Sequence, residues 1–300
     1  MSNSWSQNRY RQEVAIDLGT AFVRVATKES GVVTIPTVLS PLLHYGVLTN
    51  PEAVANLLTP FLARTRRFGL LCPRVVAGFS TNLAVVERET MVMAFHQAGA
   101  SAVTFVAEPY AAAIGADVDI LSPYAQMVVD IGDGVTDCAI IRDGEILESQ
   151  VANVGCGTFR SVVKETIQRC WGYCLDVAEV ERMIALAGTY TARPMATDIQ
   201  VKVQDSTSVA WDLSVRQIAL QAMIEPLVVE ILDTVSKLLQ KLPPTSNCEI
   251  IESGILLTGG GALLPGLQQR LTDTTAIQVT IPAKPLDAVI KGLRRMLLHP

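Results

Sequence analysis

Two stretches of the 300-residue chain set carboxylates and glycines at the joint between apolar runs: AIDLGTA at 15–21 and VVDIGDGVTD at 128–137. Glycine at such a joint permits unusual dihedrals and lets backbone N–H groups come close to a ligand. A carboxylate there can hold a hard divalent cation, commonly through its waters. Asp17 and Asp130 are the acids at matching positions. Gly19 and Thr20 follow the first, and Gly132, Asp133, Gly134 and Thr136 follow the second, with two hydroxyl donors among them. Two loops of this kind can cradle a phosphate chain together with its cation. Either stretch alone also reads as an ordinary hairpin turn, since Asp and Gly are common turn residues. Their recurrence in corresponding places of two half-chains favours the phosphate reading.

The elements that must position these loops follow from periodicity. EVAIDLG reads as a strand, TAFVRVATK as a second and GVVTIP as a third. PEAVANLLTPFLAR reads as a helix, with Asn50 as its cap and Pro51 at its first position. PRVVAGFS is a buried strand, NLAVVERETMVMAFHQAG a helix closed by Gly99, AVTFVAE a strand and PYAAAIGA a short helix. The pattern then restarts. AQMVVDIG and VTDCAIIRDGEILESQVANVG predict three strands with Asp143-Gly144 as a hairpin turn. Helices are expected over 159–171 and 176–187, a small sheet from TDIQVKVQD and SVAWDL, and a long helix over 214–242 that Pro226 kinks or breaks. GILLTGG is a strand entering a glycine loop, and PLDAVIKGLRRMLL a terminal helix. A duplicated β/α lobe with the two acidic turns facing across a cleft is the natural arrangement.

Composition bounds the function. Half the chain is hydrophobic (49%), enough for a large core and two lobes, and the formal net charge of -5 argues against nucleic acid as a partner. Prolines break the longest nearly uncharged region, 36–63, too often for a membrane span. The polar start, MSNSWSQNRYRQ, reads as a tail over 1–11, with Trp5 and Tyr10 leaving peripheral membrane contact open. Six scattered cysteines lack zinc spacing and suit reduced, buried thiols in the cytoplasm. His44, His96 and His299 lie in unrelated segments, so no catalytic triad is apparent.

With these motifs in hand, the chain resembles the actin-like ATPases, nearest to the bacterial actin MreB and its paralogues. AIDLGTA is similar to that family's first phosphate motif and VVDIGDGVTD to its second, AEPYAAAIGA to the connecting motif, and GILLTGGGALLPGLQQRL to the adenosine motif. The resemblance implies an α/β actin-like (ribonuclease H-like) fold: two duplicated lobes around a nucleotide cleft. The first lobe would comprise 12–122 and 285–300, the second 123–284, with a small outer subdomain near 176–212. It implies ATP or ADP with Mg²⁺ as cofactors, Asp17 and Asp130 holding the metal and its waters, and Glu108 orienting the attacking water. Gly259, Gly260 and Gly261 would lie against adenine, and Glu181 would contact the ribose. Standing alone, Glu108 and Glu181 read as ordinary helix carboxylates.

Three departures from the family pattern bear on function. The region from Gly31 to Gly46 is short, so the outer subdomain of the first lobe is expected to be reduced or absent. NVGCGTFRSVV carries Gly157 and Arg160 where MreB has acids, and Ile184 stands where a basic residue follows the ribose glutamate. The resemblance implies a slow ATPase and protein partners. Two readings compete: a nucleotide-dependent filament or scaffold that self-associates into protofilaments, and a non-polymerising switch, adaptor or chaperone. A small-molecule kinase on the same fold would need an acceptor base, and the sequence nominates none.

Overall fold

The computed structural model describes residues 12–37, 42–44, 47–189, 198–205 and 207–298. The first half of the chain supplies β1 (Glu13–Leu18), β2 (Phe22–Thr27), β3 (Val33–Pro36), β4 (Leu43–His44), β5 (Val47–Leu48), α1 (Pro51–Arg64), β6 (Arg74–Phe79), α2 (Val85–Gln97), β7 (Ala102–Ala107) and α3 (Glu108–Gly115). Strands β3-β2-β1-β6-β7 form one sheet, antiparallel through β1–β2–β3 and parallel through β1–β6–β7. Asn50 caps α1 by accepting the amide of Ala53 at 2.9 Å, with Pro51 at the first turn. The proposed tail and its Trp5 and Tyr10 lie outside the described residues.

The second half repeats the plan with β8 (Gln126–Ile131), β9 (Thr136–Arg142), β10 (Glu145–Ala152), α4 (Cys156–Trp171), α5 (Val177–Ala187), β11 (Asp198–Gln204), β12 (Ala210–Arg216), α6 (Gln217–Gln240), α7 (Pro244–Ser253), β13 (Ile255–Gly259), α8 (Leu267–Thr275), β14 (Val279–Thr280) and the closing α9 (Ala288–Leu298). Its sheet order, β10-β9-β8-β13-β14, has the same sequence of pairings: an antiparallel meander and then two parallel neighbours. The duplicated α/β fold expected from the motifs is what the chain adopts.

Several boundaries differ from the sequence expectation. The long helix begins at Gln217, because Ser214, Val215 and Arg216 complete the β11–β12 ladder, and it runs unbroken past Pro226 to Gln240. Helix α4 begins at Cys156, three residues before the expected start. Helices α7 and α8 and strand β14 were not anticipated. Of the six free cysteines only Cys138 is buried; Cys170, Cys174 and Cys248 are exposed. Between Pro36 and Pro51 the described elements are two strands of two residues each.

One apolar cluster fills the second half and another lies beneath α1 and α2. A third sits between the sheets, where Ala111, Ala112 and Ala113 of α3 and Ile290 and Leu293 of α9 meet Val76 and Val106 on one side and Val128 and Ile141 on the other. Small residues let α3 and α9 approach: a Cβ at Gly292 would lie 1.7 Å from the carbonyl oxygen of Ala111. That close packing fixes α3, and with it Glu108 at its first turn. Among the described residues no helix is long and apolar enough to cross a membrane.

Candidate functional site

The two acidic turns have the same internal geometry. The amide of Gly19 donates to the carbonyl of Phe22 at 3.1 Å, and the amide of Gly132 donates to that of Val135 at 2.9 Å. Each turn therefore closes as a hairpin and leaves amides at its tip unclaimed. Among the described residues, the amides of Thr20, Ala21, Asp133 and Gly134 have no acceptor. Both tips line one cavity of about 600 Å³, together with Glu108, Glu181, Gly259, Gly260 and Gly261. Unclaimed amides on facing turns are what a phosphate chain requires. Thr136 is the exception among the expected residues. It is fully buried, does not line the cavity, and donates its hydroxyl to the carbonyl of Val154 at 2.7 Å.

The acids gather at the floor. Asp17 and Asp130 are each 5% exposed. Burial raises the pKa of Asp17, despite the pull of Arg24, whose guanidinium donates to it at 3.0 Å. Asp130 accepts the Thr258 hydroxyl at 2.7 Å, yet burial pushes it up to about 7. Glu108 carries no hydrogen bond among the described residues, and it is raised well above the carboxylate range, first by burial and then by Asp17, Asp130 and Asp137. Each of these acids wants a counter-charge, and among the described residues Arg24 is the cation that faces them. Among the described residues no three acid, histidine or cysteine side chains converge on a closed cation site. A divalent ion here would be held by Asp17 and Asp130 only in part, which suits magnesium with its retained waters and phosphate ligands.

The third wall is the end of β13. Gly259 has φ +77°, and a Cβ there would meet the carbonyl oxygen of Ile131 at 2.3 Å and Asp130 at 2.8 Å. Only glycine lets this strand end cross the second loop and leave open backbone above it. Opposite, Glu181 on α5 is largely exposed and lies 3.6 Å from Arg160 of α4, which is also ion-paired to Asp133. Cys156 takes part in the wall as a neutral thiol, pushed up to about 12 by burial and Asp133.

Sequence reasoning missed Arg24 and Asp137. Arg24 stands opposite Asp17 in the β1–β2 register, and Asp137 stands opposite Asp130 in β8–β9. The alternation of FVRVATK marks Arg24 as a strand residue; the pairing that turns it toward Asp17 was the unread signal. Asp137 was visible as the last acid of DIGDGVTD, and it faces Thr81 from the other half of the chain.

A family model described as MreB/Mbl protein matches residues 36–300. The cell shape-determining protein Mbl of Bacillus subtilis (strain 168) is 27% identical over 321 aligned residues, covering 96% of this chain and 96% of that one. Among solved structures, MreB5 of Spiroplasma citri bound to ADP superposes with a TM-score of 0.85 at 23% identity, over 96% of this chain and 97% of the other. A MamK double helical filament superposes with a TM-score of 0.77 at 16% identity, over 95% and 98%. These two likenesses establish the actin-like fold, and the family match spans most of the sequence. The chain belongs to the MreB/Mbl family.

Proposed function

We propose that this chain binds ATP with magnesium between its two matched turns, hydrolyses it slowly to ADP, and uses the cycle to control self-association as a cytoskeletal filament or scaffold. The observation that carries the reading is the pair of equivalent turns, each with unclaimed amides, facing one cavity whose floor holds buried acids. In this reading Gly19, Thr20, Gly132, Asp133 and Gly134 surround the phosphates, adenine lies on Gly259, Gly260 and Gly261, and Glu181 serves the ribose. Thr136 supports the second turn from behind. The lobes would divide as 12–122 with 285–300, and 123–284. The protein would act in the cytoplasm, with protein partners and copies of itself.

The residues divide the work. Asp17 and Asp130 would hold magnesium, which when bound neutralises phosphate charge and polarises the bond to be broken. Glu108 orients water toward the terminal phosphate. Burial and the neighbouring acids raise its pKa, and its role is to hydrogen-bond and position the water, which does not call for a strong base. Positioning and charge stabilisation are most of what phosphoryl transfer needs. The assembly half of the proposal draws on the relatives: Mbl is named as cell shape-determining and MamK was solved as a filament.

Sedimentation with ATP and magnesium, followed by electron microscopy of the pellet, tests it. Regular protofilaments that need nucleotide are expected. A chain that binds ATP yet stays monomeric under those conditions overturns the assembly half and leaves a nucleotide switch.

A further inference from the structure

Two charged side chains from different elements meet at the cavity wall: Asp133 of the second turn and Arg160 of α4 are ion-paired there. Arg160 reaches in from the first turns of α4, and Glu181 of α5 lies 3.6 Å from its other terminal nitrogen. One guanidinium therefore bridges the second phosphate turn and helix α5. Its side chain is 23% exposed, and among the described residues the cations lining the cavity are Arg24 and Arg160. Arg24 is tied to Asp17 at the floor, 13% exposed. Arg160 is the more open of the two. A planar guanidinium has five N–H donors, so it can keep Asp133 while offering others to a ligand.

We propose that Arg160 is a phosphate-contacting residue of this cleft: it donates to the phosphate oxygens of a bound nucleoside di- or triphosphate while Asp133 holds its guanidinium in place. The assignment rests on the nucleotide reading above and adds to it a specificity role. The chain would sense the phosphate chain with an arginine held against its second turn. Asp133 orients the arginine, and Glu181 limits how far it swings. Because the contact is made to phosphate and not to the nucleoside, its loss discriminates between ligands.

The test is isothermal titration of the full chain with ATP, ADP and adenosine, each with magnesium, for the wild type, Arg160→Ala, Arg160→Lys and the double variant Asp133→Asn/Arg160→Gln. The double variant removes both charges, so no orphaned carboxylate clouds folding, and a thermal melt without ligand verifies that each variant is folded. A charge-assisted hydrogen bond to phosphate corresponds to about tenfold or more in affinity. Arg160→Ala and the double variant are expected to weaken ATP and ADP by about that factor and adenosine by less than about twofold, with Arg160→Lys in between. Equal loss for ATP and adenosine, or no loss in folded variants, overturns the assignment while wild-type ATP binding keeps the nucleotide reading. A wild type with no affinity for ATP overturns both.

Discussion

Asp137 of β9 accepts both the backbone amide and the hydroxyl of Thr81, each at 2.6 Å, and so joins the second sheet to the loop after β6 of the first. The two residues are 56 positions apart, and the bond spans the two halves of the duplication. Hydrogen bonds to a carboxylate are stronger than neutral ones. Thr81→Val keeps the shape and the amide but removes the hydroxyl donor. It should cost about 1–2 kcal/mol, seen as a melting temperature lower by a few degrees. An unchanged melt would show that the halves are held by the apolar α3–α9 layer alone.

Arg24 faces Asp17 at 3.0 Å and is the counter-charge to the acids of the floor. Arg24→Met keeps much of the side-chain bulk and removes the charge. In the nucleotide-free chain this should destabilise by about 2 kcal/mol, measured by urea unfolding. Added magnesium should recover part of the loss, since a bound cation replaces the missing charge. A variant as stable as wild type in chelator would mean that protonated acids need no internal cation.

Burial pushes Asp130 up to about 7 in the folded chain against an ordinary 3.8, and Asp137 up to about 6. Between those values and 3.8 the folded chain binds more protons than the unfolded one. Stability from these groups is therefore greatest at low pH and falls as pH rises from about 4 to about 7. Asp130→Asn removes its share of that loss. Relative to wild type, its melting temperature should rise by several degrees on going from pH 5 to pH 8, as followed by calorimetry. A difference that does not change with pH would mean that Asp130 is not held protonated.

Glu108 sits at the first turn of α3 with no partner of its own among the described residues, aimed at the cavity. Glu108→Ala should leave ATP affinity within about threefold and lower turnover by about a hundredfold, read by phosphate release under saturating ATP. Wild-type turnover in this variant would remove Glu108 from the hydrolytic role.

Much of this site was legible because its parts are short and local. A turn such as DIGDGVTD announces itself by composition, and Asn50-Pro51 marks a helix start by residue type alone. What stayed hidden depends on pairing across the chain. SVAWDLSVR reads as strand and then helix at Ser214, but the ladder to β11 carries the strand through Arg216. Thr136 looked like a phosphate hydroxyl until the approach of Val154 claimed it. Helix α7 begins at Pro244 in a polar, proline-rich stretch with little apolar periodicity, so nothing local distinguished it from a loop. The Asp133–Arg160 pair required two positions 27 residues apart to meet, and no local pattern links them.

The claim on which the rest depends is that the cavity between the two turns binds a magnesium nucleotide. Its most direct measurement is a calorimetric titration of the purified chain with ATP in magnesium, beside Asp17→Asn. One saturable site in the wild type and affinity at least about tenfold weaker in the variant are expected, with both proteins folded by thermal melt. A folded wild type that shows no saturable heat, or a variant that binds as tightly as wild type, would mean that the acidic turns are hairpins and nothing more.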